Sequence, residues 1–205
     1  MSFNTMLASF TTILNRDDCT PAAATTFLQQ GISRIQRDCR LPSMERSLII
    51  VPAGVMNMLP APTDLIQPID FIYTMPDGRG RSLTKLSYRK LVELDPLDFP
   101  RAYARMQTQF WFAGAIPAGN TLQFFYYGNF SPFATADSDN ELSASTPDLA
   151  VYAALSYAGD NFEMSQAAMW EGRYQAIKTE VIGMAIDLDA EGGPQSIQTI
   201  YEWDN

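Results

Sequence analysis

Apolar residues recur at helical intervals near both ends of this chain and at strand intervals through its middle. Phe3, Leu7, Phe10 and Leu14 form one stripe, and Leu28, Ile32, Ile35 and Cys39 form a second. Thr20-Pro21 opens the second helix with a hydroxyl N-cap and a proline at the first helical position, where no amide donor is needed. Gly31 weakens that helix by about 1 kcal/mol relative to alanine but leaves room for close packing, and Pro42 ends it. Towards the C-terminus, Thr146-Pro147-Asp148 repeats the start signal, with a carboxylate near the positive end of the helix. Leu149, Tyr152, Ala153 and Ser156 share one face, and Gly159 predicts a stop. Asp160 followed by Glu163 predicts a capping-box start for a last helix with Trp170, Tyr174, Ile177, Val181 and Met184 along one seam.

From Ser47 the period changes. Leu48-Ile49-Ile50-Val51 is one short apolar run, and Ile66, Ile69, Phe71, Ile72 and Tyr73 make another, with a hairpin tip predicted at 77–81 and Leu83 on the return strand. Ser87 caps a short helix to Leu94. Met106 to Ala136 carries no charge and nine aromatic residues. Its two strands, near 109–113 and 121–127, are joined through Ile116-Pro117-Ala118-Gly119-Asn120 and predict a hairpin apolar on both faces. Such a hairpin belongs in a sheet core or at a subunit interface. The second reading places Phe130-Ser131-Pro132-Phe133 against a neighbouring subunit, with Phe130 and Phe133 as the candidate interface residues.

Past Ile186 the character changes again: Asp187 to Asn205 holds five acids, no Lys or Arg, and a Gly192-Gly193-Pro194 joint. Beyond the joint Ile197, Thr199, Tyr201 and Trp203 alternate with polar residues, and only Ile200 breaks the pattern. Ordering these 19 residues costs roughly 1–2 kcal/mol each. Burying Ile197, Ile200, Tyr201 and Trp203 returns only about 1.5–3 kcal/mol apiece. The segment therefore needs backbone pairing as well, as when a peptide adds a strand to a sheet edge. The predicted organisation is α+β: a domain over residues 1–186, with helices in 1–46 and 146–186 and a central antiparallel β-rich section over 47–136, and an extended acidic C-terminal tail over 187–205.

Candidate chemistry is sparse. The chain has no histidine, so Ser-His-Asp catalysis and His-ligated metal sites are excluded. Cys19 and Cys39 flank one helix at a separation near 30 Å, beyond disulfide reach, and are expected as free thiols. No phosphate-binding loop is present, and no cofactor or metal is expected. Glu163 and Glu171 are the one carboxylate pair to weigh for a glycosidase, but capping and surface solvation account for both. No apolar run approaches the roughly 18 residues of a membrane span, and the absence of a basic, apolar leader predicts cytoplasmic synthesis. The net charge of −9 is unevenly spread: residues 1–105 carry about +2 and residues 106–205 about −11. An acidic C-terminal half repels nucleic acid, and as a solvated surface it serves solubility.

The order of these segments carries a resemblance. Pro147-Asp148-Leu149, Tyr152-Ala153-Ala154-Leu155 and Trp170-Glu171-Gly172-Arg173-Tyr174 resemble the C-terminal half of head-to-tail adaptor (connector) proteins of tailed bacteriophages. Upstream, Ile35-Gln36-Arg37-Asp38-Cys39-Arg40 resembles the end of that family's second helix. Leu59-Pro60-Ala61-Pro62-Thr63-Asp64 resembles the approach to its first strand, and Leu122-Gln123-Phe124-Phe125-Tyr126-Tyr127-Gly128 its last strand. The likeness covers roughly residues 25–185 and lies in the collinearity of short motifs. The resemblance implies a non-enzymatic virion protein of the neck, assembled in the host cytoplasm and forming a ring closed by one repeated interface, with about twelve copies as the family's number. Its implied partners are the portal protein ring above, copies of itself, and a tail or nozzle protein below, with genomic DNA passing through unbound. Ile197, Ile200, Tyr201 and Trp203 are then the candidate residues docking the portal or a neighbouring copy. The rivals are a tail-side nozzle or head-completion protein, and a non-viral β-rich glycan-binding module with Trp111 and Tyr126-Tyr127 as its stacking platform.

Overall fold

A computed structural model describes residues 1–75, 77–94 and 99–190, the last four as backbone only. The elements run α1 (Phe3–Leu14), α2 (Pro21–Asp38), β1 (Glu45–Ile50), β2 (Met56–Pro60), β3 (Leu65–Thr74), β4 (Gly80–Ser82), β5 (Thr84–Lys85), α3 (Tyr88–Val92), β6 (Ala102–Met106), β7 (Gln109–Ile116), β8 (Thr121–Gly128), α4 (Glu141–Ser145), α5 (Pro147–Asn161) and α6 (Ala167–Ala190). They form two compact units, a helical one from residues 1–43 and 130–205 and a β-rich one from residues 44–129. The α+β class, with terminal helices around a central β section, is as expected.

In the helical unit, α1 buries Met6, Phe10 and Leu14, and α2 buries Ala24, Leu28, Gly31 and Ile35. Thr20 caps α2 as predicted, its hydroxyl accepting from the Ala23 N–H at 3.2 Å with Pro21 in the first turn. The Thr146-Pro147-Asp148 signal also starts a helix where expected, with Pro147 and Asp148 in the first turn of α5, but without the hydroxyl cap, and the Asp160–Glu163 start fails. Thr146 closes α4 and opens α5 at once, with backbone angles (φ −140°, ψ 62°) from which its hydroxyl caps nothing. The unpredicted α4 owns the capping box, made by Asn140 and Ser143. Gly159 does not stop α5, which runs on to Asn161, and Asp160–Glu163 starts no helix: Glu163 takes a left-handed turn (φ 49°), and α6 begins at Ala167.

Alpha5 is the centre of this unit. Leu149, Ala150, Val151, Ala153, Ala154, Leu155, Ala158 and Gly159 are all buried, whereas Tyr152 and Ser156 of the predicted face are half-buried. A helix apolar on nearly all sides shows no one-sided stripe. Two glycines set its spacing to its neighbours. A Cβ on Gly31 would meet the backbone of Ala154 at 2.8 Å and of Ala150 at 3.0 Å, and one on Gly159 would meet Ala167 at 2.9 Å and Trp170 at 3.0 Å. The predicted seam of α6 is buried at Trp170 and Tyr174, half-buried at Ile177 and Val181, and exposed at Met184.

The β-rich unit packs two four-stranded sheets, ordered β1-β8-β3-β4 and β2-β7-β6-β5, around one aromatic core. All neighbours are antiparallel except β5 and β6. Here the predicted hairpin is corrected: β7 and β8 do not pair but lie in opposite sheets, and the Pro117–Asn120 connection crosses between them. Each strand lines the core with alternate residues, Phe110, Phe112 and Ile116 from β7 and Leu122, Phe124 and Tyr126 from β8. Phe71 joins the walls, stacked on Phe124 at 4.1 Å and edge-on to Phe110 at 5.0 Å and Phe112 at 5.5 Å. The Leu59-Pro60 motif lies in β2, so two strands precede β3.

Candidate functional site

The densest cluster of charge in the helical unit ties α2 to α6. Arg34 donates both terminal nitrogens to Glu171, Nη1 to Oε2 at 2.8 Å and Nη2 to Oε1 at 2.7 Å. The same guanidinium lies 4.1 Å over the Tyr174 ring and 3.5 Å from Asp38, which Lys178 approaches at 3.7 Å and to which the Tyr174 hydroxyl donates at 3.4 Å. The Arg34 hydrogen bonds, with help from Gln175 and Ser156, hold the Glu171 carboxyl down to about 2 against the opposing effect of burial. Burial keeps the Tyr174 phenol protonated well above its ordinary range. Arg34, Ser156, Tyr157, Asp160, Ala167, Ala168 and Glu171 border an open cleft of about 350 Å³. A carboxylate that stays ionised to such low pH cannot hold a proton to donate near neutrality. Surface solvation, the expectation for Glu171, is thus replaced by a helix-to-helix clamp.

The clamp has a pH signature. Its folded carboxyl value lies below the ordinary 4.5, so its contribution is complete above 4.5 and is lost as pH falls from there towards about 2. Glu171→Gln is expected to cost about 1–2 kcal/mol at neutral pH, a figure discounted because the carboxylate is 39% exposed. Denaturant titrations of both proteins should converge across that acid window. A gap that stays constant down to pH 2 would contradict the clamp.

The sequence-predicted interface residues are placed as follows. Phe130 is buried at 5% exposure, while Phe133 is half-buried and meets the Phe3 ring edge-on at 5.2 Å. Ile197, Ile200, Tyr201 and Trp203 lie outside the described residues. The proposed stacking platform is not assembled: Tyr126 faces the sandwich core, stacked on Phe124 at 4.9 Å with its hydroxyl bonded to Asp64, and Trp111 sits on the other sheet beside Tyr88 of α3. Cys19 and Cys39 are free thiols, Cys39 buried with its thiol pushed up by desolvation. Among the described residues, no group of three or more Cys, Asp or Glu side chains is placed to hold a metal, and no helix is long and apolar enough to cross a membrane.

Sequence reasoning missed two open apolar surfaces. Beta1 is an edge strand whose sole strand neighbour among the described residues is β8, and Ile49 is 64% and the following Val51 60% exposed. Their run looks like any buried strand, and only the sheet order shows that it is an edge. At the end of α6, Val181, Met184 and Ala185 form a groove of about 200 Å³ with Leu41, Pro42 and Thr146, whose buried hydroxyl has no hydrogen-bond partner. The helical unit, with six Lys and Arg against sixteen Asp and Glu, carries a net charge of −10, and the β-rich unit, with eight against seven, +1.

Two open apolar surfaces and a set of ionisable groups engaged in holding helices together are thus what the described residues present. The chain belongs to the SU10 adaptor protein family, whose model matches residues 1–197, and is thereby a head-to-tail adaptor protein of tailed bacteriophages, a structural component of the virion neck. The match spans both units and ends inside the acidic tail. Among curated proteins none matches the chain.

Proposed function

We propose that copies of this chain close a ring beneath the capsid portal, join it to the tail, and continue the channel through which the genome passes. The observation that carries this reading is the family match, which takes in both compact units. Charge supports it: a helical unit of net −10 repels phosphate and suits a wall along which DNA slides. A ring presents every weak contact many times over, so modest individual interfaces hold the junction.

Two contacts are assigned to this assembly. Phe133, half-buried beside Phe3, meets the neighbouring copy with the part of its ring left open, and the buried Phe130 anchors the segment that carries it. Phe133→Ser is expected to lower ring formation on portal rings severalfold, read by sedimentation, while thermal unfolding of the free chain moves by less than about 1 kcal/mol. Collapse of the free chain would return Phe133 to the core. The tail residues Ile197, Ile200, Tyr201 and Trp203 dock onto the portal or a neighbouring copy. Cutting after Ala190, where α6 ends, is expected to abolish co-sedimentation with portal rings. Undiminished binding would remove the tail from docking and leave the ring reading to the remaining surfaces.

A further inference from the structure

The two sheets of the β-rich unit have four edges, and three are protected in familiar ways. Beta4 has three residues and carries Arg81; β5 has two and carries Lys85. Beta2 ends on Pro60 and breaks register between Met56 and Met58. Short length, basic side chains, proline and bulges all discourage a further strand from pairing. Beta1 has none of these over its apolar half: six residues in unbroken register with β8, ending in Leu48, Ile49 and Ile50. On the sheet's outer face Ile49 stands beside β8, whose outward residues there are Gln123 and the half-buried Phe125. Alternate N–H and C=O groups of an edge strand point away from its one partner.

One segment of the same chain has the complementary pattern. Fifteen residues follow Ala190, and within them Ile197, Thr199, Tyr201 and Trp203 alternate with polar side chains, which is the period of a strand with one apolar face. The described residues of the helical unit, to which this segment is attached, contain no strand. Fully extended, fifteen residues reach roughly 50 Å, enough to leave one subunit and lie along another. Resting on the ring reading above, we infer that Ser196–Trp203 of one copy adds as a strand to the free edge of β1 in another copy. Its apolar side chains lie over the face that carries Ile49 and Phe125. Each copy then both offers an edge and fills one, a head-to-tail contact that propagates around a ring.

Disulfide trapping in full-length protein tests this. One population carries Ile49→Cys, a second of different tag mass carries a single cysteine walked from 197 to 203, and the two are mixed and oxidised with and without portal rings. Strand addition predicts a mixed disulfide dimer whose yield alternates with period two along the segment, since bridging needs Cα atoms about 4.4–6.8 Å apart on one face. Adding chains that carry Ile49→Lys and are also cut after Ala190, and so offer neither the edge nor the segment, should leave that yield unchanged in tenfold excess, whereas unsubstituted chains, which offer both, should reduce it severalfold. No mixed product above the background of unsubstituted chains overturns the inference. So does a product without alternation, or a purely intramolecular disulfide in the Ile49→Cys, Thr199→Cys double variant. Sedimentation of the same chains with portal rings reports separately on the adaptor reading, which survives if chains bind portals yet do not cross-link.

Discussion

Phe124→Ala is expected to lower stability by about 3–5 kcal/mol, the range for emptying a fully buried phenylalanine site. That is a large share of the roughly 5–15 kcal/mol that holds a typical domain together. Phe124 is fully buried where both sheets meet, stacked on Phe71 at 4.1 Å and Tyr126 at 4.9 Å and edge-on to Phe110 at 5.1 Å. Truncation leaves three rings facing a void that rigid strands close only in part. Urea unfolding followed through Trp111, the sole tryptophan between residues 44 and 129, reads the effect in this unit. A midpoint loss worth less than 1 kcal/mol would mean that the aromatic cluster is not the core.

Gly31→Val comes next, at about 3 kcal/mol, at the upper end of overpacking costs. The atoms a new Cβ meets are backbone, Ala154 N at 2.8 Å and Ala150 O at 3.0 Å, so relief requires α2 and α5 to separate as bodies. The helix propensity a branched residue gains over glycine is only roughly a few tenths of a kcal/mol and does not offset the strain. For a chain of this length the fall in melting temperature should be roughly 6–12 °C. A shift under 2 °C would show that the two helices can part at little cost.

What was legible in the sequence was chemistry that acts over a few residues. Thr20-Pro21 and Ser87 cap their helices as written, because a hydroxyl two or three residues from its amide needs nothing else. The apolar stripes found α1, α2 and the first half of α6, and a glycine in the α2 seam pointed to close packing. Signals that depend on distant partners misled. Gly159 reads as a helix stop, but its missing side chain lets Ala167 and Trp170 settle on α5. The Ile116–Asn120 turn reads as a hairpin, but alternation of aromatic residues makes each flanking strand one wall of a sandwich. The Arg34–Glu171 clamp joins residues 137 apart, and no local pattern announces it. The exposed edge of β1 is likewise a property of sheet order. Identity was readable for another reason: the order of short motifs survives even where each motif is weak.

The central claim is that this chain works by closing into a ring on the portal. Electron microscopy of the purified protein mixed with portal rings of the same virus tests it directly. The account predicts an added ring of repeated subunits below the portal, concentric with its channel and lined by the acidic helical unit. Portal rings that remain bare at saturating protein, or decorated by single copies away from the axis, would contradict it.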